Sequence, residues 1–353
     1  MTIFAVLLFL ICLYKIKPLC NKNFYTDYIS IEQTRSINGI FIILILLSHT
    51  FARVSSQGFL DDLYNPMRTW LGQFVVVPFL FYSGFGIMES IKSKDSYIKS
   101  FPRKRFLRIL AQFFVITIIY ILMHLILQSD YSLPHYILSF VGITSIGNGG
   151  WYILSTFVFY IAVIACFNLF KTNKIGATIG VTLCLIALML IEILLSFPSY
   201  YYSTTIFFVV GMYFSLFKKS FDRIVMKNNV VYVTCLLISI VGFVFCKLLV
   251  EKMVLFYPIW CGFGMLMILF ITMKVKIVNK VLIWLGKVIF FIFTLQGIPQ
   301  ILFTKFVNNN YIIYILVILF TLLFAYLTNK FFMAVEQKLK NRSLRKDESK
   351  GNT

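Results

Sequence analysis

The sequence predicts an all-α integral membrane protein with about eleven transmembrane helices, its N-terminus outside and its C-terminus in the cytoplasm. Three observations lead to this fold class: the composition, the apolar runs, and the distribution of lysines and arginines. Of the 353 residues, 60% are hydrophobic and only 13% are charged, which is outside the range of soluble globular domains. No polar segment is long enough to form a soluble domain.

The apolar runs have the lengths that spanning helices need, about 20 residues. They occupy residues 2–16, 36–53, 70–91, 106–128, 151–170, 175–197, 200–217, 229–250, 254–273, 281–303 and 311–333. The first run lacks the basic residues and the cleavage site of a signal peptide, so we interpret it as a retained helix. Residues 1–333 are thus predicted to form one transmembrane domain. Residues 334–353 are predicted to be a basic, disordered cytoplasmic tail.

The basic residues indicate the orientation. If the segments after the odd-numbered runs face the cytoplasm, that side holds 27 of the 33 lysines and arginines. The other side holds five, and Lys287 lies inside the tenth run. The five are Arg53, Arg68, Lys247, Lys252 and Lys305. Topology therefore explains the net charge of +20, and the lipid bilayer rather than a nucleic acid is the expected partner.

Few groups inside the apolar runs suit metal or disulfide chemistry. Six of the seven cysteines lie within the runs, Cys20 follows the first run, and no CxxC occurs, so neither a disulfide nor a metal site is predicted.

Glu192 and Lys287 are charged residues within the apolar runs and are therefore functional candidates. Glu192 is also near a helix end, and Lys287 can extend its ammonium toward the interface.

The second run carries polar residues on one helix face. Asn38 and His49 are eleven residues apart, which returns His49 to within roughly 20° of the same face, and Arg35 lies about 40° to the other side. The Asn38–His49 separation is about 16 Å, comparable with an extended thiol arm of a coenzyme. Histidine suits proton transfer near neutral pH. His124 and His135 are also predicted near the outer side, where hydrogen-bonded interfacial histidines are the simpler interpretation.

The third run contains PFLFYSGFGIMES. Gly84 and Gly86 permit close helix approach, and Tyr82 and Ser83 have hydroxyls for hydrogen bonds across an interface. Helix packing alone would also explain this pattern. The loop 129–150, the longest on the outer side, is half apolar and compatible with a re-entrant segment.

Two further motifs flank the fourth run. PRKRFLRIL contributes Arg103, Arg105 and Arg108, whose guanidinium groups suit phosphates, although any cytoplasmic loop would be basic. GGWYILSTFVFY contributes Trp151 and Tyr152, aromatic residues that suit anchoring at the membrane interface.

Together these stretches resemble the acyltransferase 3 family of membrane acyltransferases, especially stand-alone members that act in capsule and exopolysaccharide synthesis. The resemblance implies a multi-pass protein of the cell membrane that moves an acetyl or other short acyl group from cytoplasmic acetyl-CoA to a sugar hydroxyl. The acceptor would be a cell-surface polysaccharide or its lipid-linked precursor.

The resemblance also implies roles for individual residues. His49 would be catalytic, as general base or transient acyl carrier. The family pattern places an arginine where this chain has Asn38, and Arg35, one turn earlier, is the expected substitute. Gln296 stands where relatives often carry a histidine, so no proton transfer is expected there. Coenzyme binding is implied for Arg35, Asn38, Arg103, Arg105 and Arg108, and substrate binding for Tyr82, Ser83, Trp151 and Tyr152.

Two other functions fit a polytopic chain with a basic inner face. A flippase for lipid-linked sugars would need a polar cavity lined by charges from several helices, and its loss would remove the polymer altogether. A sugar polymerase or ligase would need arginine-rich outer loops. Loss of an acyltransferase would instead leave the polymer without its acyl groups.

Overall fold

Helices dominate the structure, a computed structural model that describes residues 1–19, 23–54, 58–94, 96–250, 253 and 256–351. Cys20 and Lys252 lie outside the described residues. The first eight helices are α1 Thr2–Leu13, α2 Ile31–Arg53, α3 Phe59–Leu71, α4 Val77–Ser93, α5 Tyr97–Phe101, α6 Leu107–Ile126, α7 Leu133–Ser139 and α8 Gly150–Phe170. The other eight are α9 Lys174–Leu194, α10 Phe207–Val225, α11 Asn229–Val250, α12 Phe256–Lys274, α13 Lys280–Lys287, α14 Ile289–Leu295, α15 Gly297–Phe306 and α16 Asn310–Gly351.

The predicted all-α membrane fold is confirmed. Within the described residues, nine helical segments are long and apolar enough to cross a bilayer. The other two predicted spans differ: α1 has 12 residues, and the run 200–217 is replaced by α10, which extends to Val225 and includes the Lys218–Asp222 ion pair (2.5 Å). The count of eleven spans stays a prediction.

Contacts between loops test the prediction that successive loops lie alternately on the two faces of the membrane. Strand β1 (Ile16–Pro18) pairs with β2 (Val275–Ile277), and the Tyr28 hydroxyl donates to the Asp222 carboxylate at 2.6 Å. Both contacts join segments that are predicted to be cytoplasmic. On the opposite side, Lys305 Nζ donates to the Leu127 carbonyl at 3.2 Å. The structure therefore groups the loops as the charge pattern predicts, while the orientation in the membrane stays a prediction.

Backbone contacts at glycines hold two helix pairs together. In the α4–α10 pair, a methyl group on Gly84 would overlap the Phe208 carbonyl, and one on Gly211 would overlap the Phe81 carbonyl. In the α2–α13 pair, a methyl group on Gly39 would overlap the carbonyl of Leu282. The close approach expected at Gly84 is confirmed. The one expected at Gly86 is wrong, because a methyl group placed there meets no described atom of a neighbouring helix within 4 Å.

Replacing Gly84 by alanine is expected to destabilise the protein by about 1–3 kcal/mol, because α4 and α10 must separate to admit the methyl group. The measurement is the midpoint of thermal unfolding in detergent. Gly86→Ala is the matched control on the same helix and is expected to be neutral or slightly stabilising, because alanine favours helix more than glycine. Equal midpoints for the two variants would contradict the described packing.

The predicted helix 281–303 is instead three segments. Pro299 has no N–H to bond the Leu295 carbonyl and its ring crowds that carbonyl, so α14 ends at Leu295 and α15 restarts at Gly297. The other break lies between α13 and α14, at Val288. It places Lys287 at the end of α13, where its side chain is exposed. Irregular backbone inside a membrane protein is tolerated where it lines a cavity.

At the C-terminus, α16 continues helically through residues 334–351, where composition predicts disorder. Lysine, arginine and glutamate are good helix formers, which explains the continuation. The division at residue 333 stays a prediction.

Candidate functional site

A cavity of about 690 Å³ opens on the side of the molecule predicted to face outward. Its walls come from the C-terminal end of α2, the α3–α4 turn, the loop before α8, the turn before α10, and the α14–α15 break. The lining residues are Ile45, Ser48, His49, Ala52, Arg53, Arg68, Thr69, Gly72, Gln73, Val75, Val76, Ser145, Gly147, Gly149, Trp151, Tyr200, Tyr201, Phe293, Gln296 and Gln300. We call it the outer cavity.

His49 lies in the wall of the outer cavity with its imidazole exposed. Helix α2, which begins with the Ser30 side chain accepting from the Gln33 N–H, carries it toward the outer side. Next to it, the Gln300 amide donates to Thr50 Oγ1 at 3.1 Å, which ties α15 to α2. His49 is therefore an accessible base on a fixed backbone.

Gln296 is the polar neighbour of His49 across the cavity. Its amide nitrogen donates to the Phe293 carbonyl at 3.0 Å, while its Oε1 is buried and has no hydrogen-bond partner in the described part of the chain. The side chain is close enough to His49 to interact with the imidazole. A buried amide oxygen of this kind suits an imidazole N–H, which would leave the other ring nitrogen free to accept a proton.

Aromatic side chains form another part of the wall. Trp151 packs edge-on against Tyr200, with ring centroids 5.7 Å apart, and lies 6.4 Å from Phe293. Gly149 holds the turn before α8 with φ +70°, and a methyl group there would strike the Phe293 ring. Half-buried tryptophan and exposed tyrosine rings are suitable surfaces for a sugar ring.

The loop 140–149 is held by buried polar groups. His124 Nε2 contacts the Ile146 carbonyl at 2.8 Å and its Nδ1 contacts Ser129 Oγ at 2.9 Å. The Asn148 amide donates to Thr117 Oγ1 at 3.2 Å. His124 is therefore a structural residue with both ring nitrogens engaged. His135 stacks on Tyr131 at 4.7 Å and is not in the cavity lining.

A second, smaller cavity of about 140 Å³ lies on the other side of Phe293. We call it the inner cavity. It is mostly apolar, and its lining residues are Phe79, Ser83, Ile109, Tyr152, Ile153, Thr156, Tyr160, Ile289, Phe290 and Phe293. The Phe293 ring lines both cavities and lies 5.2 Å from Tyr152 and 6.5 Å from His49. Phe293 is therefore the residue that the two cavity linings have in common.

The basic motif lies beyond the inner cavity. Arg103 and Arg105 are exposed in a π-helical turn, and Arg105 is within electrostatic range of Tyr160 in the cavity wall. Arg108 instead pairs with Glu336 at 2.6 Å. Exposed guanidiniums near the end of an apolar cavity that is predicted to face the cytoplasm suit the phosphates of a coenzyme.

The structure separates some of the predicted site residues. Arg35 and Asn38 lie on α2 where α13 packs against it, outside the lining of both cavities, and Asn38 Oδ1 is buried without a partner among the described residues. Tyr82 faces away from its neighbour Ser83, into a third space of about 620 Å³ that also includes Asp27 and Glu89. His49, Ser83, Trp151 and Tyr152 are brought together around Phe293.

Sequence reasoning missed several wall residues. Phe293, Gln300 and Tyr200 were missed because their neighbours in the sequence are apolar or aromatic, as in any membrane helix. Arg53 and Arg68 did give a signal, because they are two of only five basic residues predicted on the outer side.

Residues 36–330 match the family model described as an acyltransferase domain, Acyl_transf_3. The match covers most of the chain and includes every residue of the two cavities. No curated protein and no solved structure matches the chain.

Proposed function

Because the chain belongs to the acyltransferase 3 family, we propose that it moves a short acyl group from cytoplasmic acyl-CoA to a hydroxyl of a cell-surface polysaccharide or its lipid-linked precursor. Acetyl-CoA is the proposed donor, and the cell membrane is the proposed location. The observation that carries the proposal is the exposed His49 in a roomy, aromatic-walled cavity that adjoins an apolar cavity across a single ring.

His49 acts as the general base in this mechanism. An acceptor hydroxyl in the outer cavity gives its proton to the free imidazole nitrogen as its oxygen attacks the thioester carbonyl. The carbon–sulfur bond breaks, the thiolate takes a proton, and the products are an O-acyl ester and free coenzyme thiol. Gln296 positions the imidazole. A transient acyl group on His49 is the alternative route to the same products.

The residues around the inner cavity fit the donor. The thiol arm of the donor would extend through the inner cavity toward His49. Apolar walls at Ile109, Ile153 and Phe290 exclude water from such an arm. The exposed Arg103 and Arg105 are the residues proposed to hold the phosphates. Arg35 and Asn38 line neither of the two described cavities, so we assign them no contact with the arm.

Family membership favours acyl transfer over a flippase. The inner cavity is also small and nearly uncharged, whereas lipid-linked sugars carry phosphate and large polar head groups through a transporter. The outer cavity serves a different purpose in our proposal, as the acceptor site.

Labelled acyl transfer in membrane vesicles tests the proposal. Vesicles from cells that make the protein, with the cytoplasmic side accessible, receive acetyl-CoA labelled in the acetyl group. We expect base-labile label to accumulate in the polysaccharide or lipid-linked sugar fraction, and not in vesicles that lack the protein. Equal label in both preparations would contradict the proposal.

A further inference from the structure

Two arginines line the outer cavity, and no carboxylate in the described parts of the chain forms an ion pair with either. Arg53 lies one helical turn after His49, and Arg68 lies near the end of α3. Among the residues that the structure describes, no aspartate or glutamate lines the cavity. Both guanidiniums are close enough to His49 to act on it electrostatically. A neutral sugar bound in this cavity would offer no negative charge to neutralise the two guanidinium groups.

The other two basic residues that the structure describes on the predicted outer side, both lysines, behave differently. Lys247 Nζ donates to the Thr69 carbonyl at 3.0 Å, and Lys305 Nζ donates to the Leu127 carbonyl at 3.2 Å. Neither lysine lines the cavity. In contrast, neither Arg53 nor Arg68 makes a hydrogen bond or ion pair within the described part of the chain. The lysines therefore complete the protein's own structure, whereas the arginines retain their donors for something else.

Arg68 is held in place although its donors are free. Its guanidinium stacks over the Phe51 ring at 5.5 Å, and its Nε is buried without an acceptor among the described residues. A buried N–H without a partner carries a desolvation cost, which a bound acceptor oxygen would remove. Fixed planar guanidiniums suit carboxylate and phosphate groups, which accept two parallel hydrogen bonds.

The backbone adds positive potential at another part of the cavity lining. Helix α8 begins at Gly150 behind a left-handed Gly149 and has no side-chain cap. Gly149 and Trp151 line the cavity, so the N-terminal end of this 21-residue helix meets it. Helix N-termini carry partial positive charge and unsatisfied N–H groups. The cavity is therefore positive on two walls.

We propose that the acceptor is an acidic glycan whose carboxylate or phosphate binds between Arg53 and Arg68 while a sugar ring packs on Trp151. This inference rests on the proposed acyl transfer and names the substrate class of its acceptor site. Fixing the anionic group orients a neighbouring hydroxyl toward His49, and a neutral glycan lacks that anchor.

The test separates surface polymers by charge. Polymers from cells with and without the protein are divided by anion-exchange chromatography, and base-labile acyl groups are measured in each fraction. We expect the protein-dependent acyl groups in the acidic fraction. Phosphorus NMR and carboxyl reduction of that fraction then distinguish phosphate from carboxylate as the anchor.

Variants test the role of the arginines. The double variant Arg53→Gln, Arg68→Gln is expected to lower acylation about tenfold at equal protein level, because charge-assisted hydrogen bonds are lost. Arg53→Lys with Arg68→Lys keeps the charges and should retain more activity than the glutamine pair. Lys305→Gln removes an outer charge away from the cavity and should change acylation less than about twofold.

The outcomes separate the two proposals. Protein-dependent acyl groups confined to the neutral fraction, or unchanged acylation in the arginine double variant, would overturn the acidic acceptor and leave acyl transfer intact. Absence of protein-dependent acyl groups from every fraction would overturn both.

Discussion

Replacing His49 by glutamine is expected to slow acyl transfer about 10²- to 10⁴-fold, the usual contribution of a positioned general base. Glutamine is similar in size and polar, but it does not accept a proton near neutral pH. The imidazole is exposed to the outer cavity, so its replacement should not change the amount of folded protein. The measurement is the rate of labelled acyl transfer in vesicles that contain equal amounts of protein.

His135→Gln is the matched control. It also removes an outer-side histidine, but one that stacks on Tyr131 and does not line the cavity. Its rate should stay within about twofold of the unchanged protein. If both variants transfer at the original rate, His49 is not the base. If both fall equally, the loss reflects a general effect of removing outer histidines.

Filling the inner cavity is expected to reduce transfer about 10²-fold, because a donor displaced by even about 1 Å no longer meets the acceptor. Thr156→Phe introduces a large ring into a space of only about 140 Å³. Thr156 donates only to the Tyr152 carbonyl one turn earlier, so the hydrogen bonds between helices do not depend on it. The measurement is again labelled transfer at equal protein level.

Ile161→Phe is the control for this variant. It places the same ring on the same helix, at a side chain that is 55% exposed and outside both cavity linings. We expect its activity to remain near that of the unchanged protein. Full activity in Thr156→Phe would show that the donor does not pass through the inner cavity.

The sequence predicted the fold well where a single physical rule dominates. Long apolar runs must be helical in a bilayer, and the loops grouped as the lysines and arginines indicated. The broken tenth helix was not predicted, because Pro299 is compatible with a kinked continuous helix. Pro299 removes the hydrogen bond to the Leu295 carbonyl, and α14 and α15 both pack against α2 on either side of the resulting break.

The candidate site was predictable in part. Helical geometry placed His49 on the polar face of α2, and the resemblance added Ser83, Trp151 and Tyr152. The contact of these groups with Phe293 depends on how α8 and α14 pack, which no local pattern encodes. Likewise, the hydrogen bonds of Lys247 and Lys305, and the lack of a partner for Arg53 and Arg68 among the described residues, depend on how the outer face is assembled.

The central claim is that the protein acylates a glycan rather than moving or polymerising it. Proton NMR of the surface polysaccharide from cells with and without the protein tests this claim most directly. We predict that loss of the protein removes acyl resonances and shifts the adjoining sugar proton, while the amount of polymer is unchanged. Loss of the polymer itself, or identical spectra, would contradict the claim.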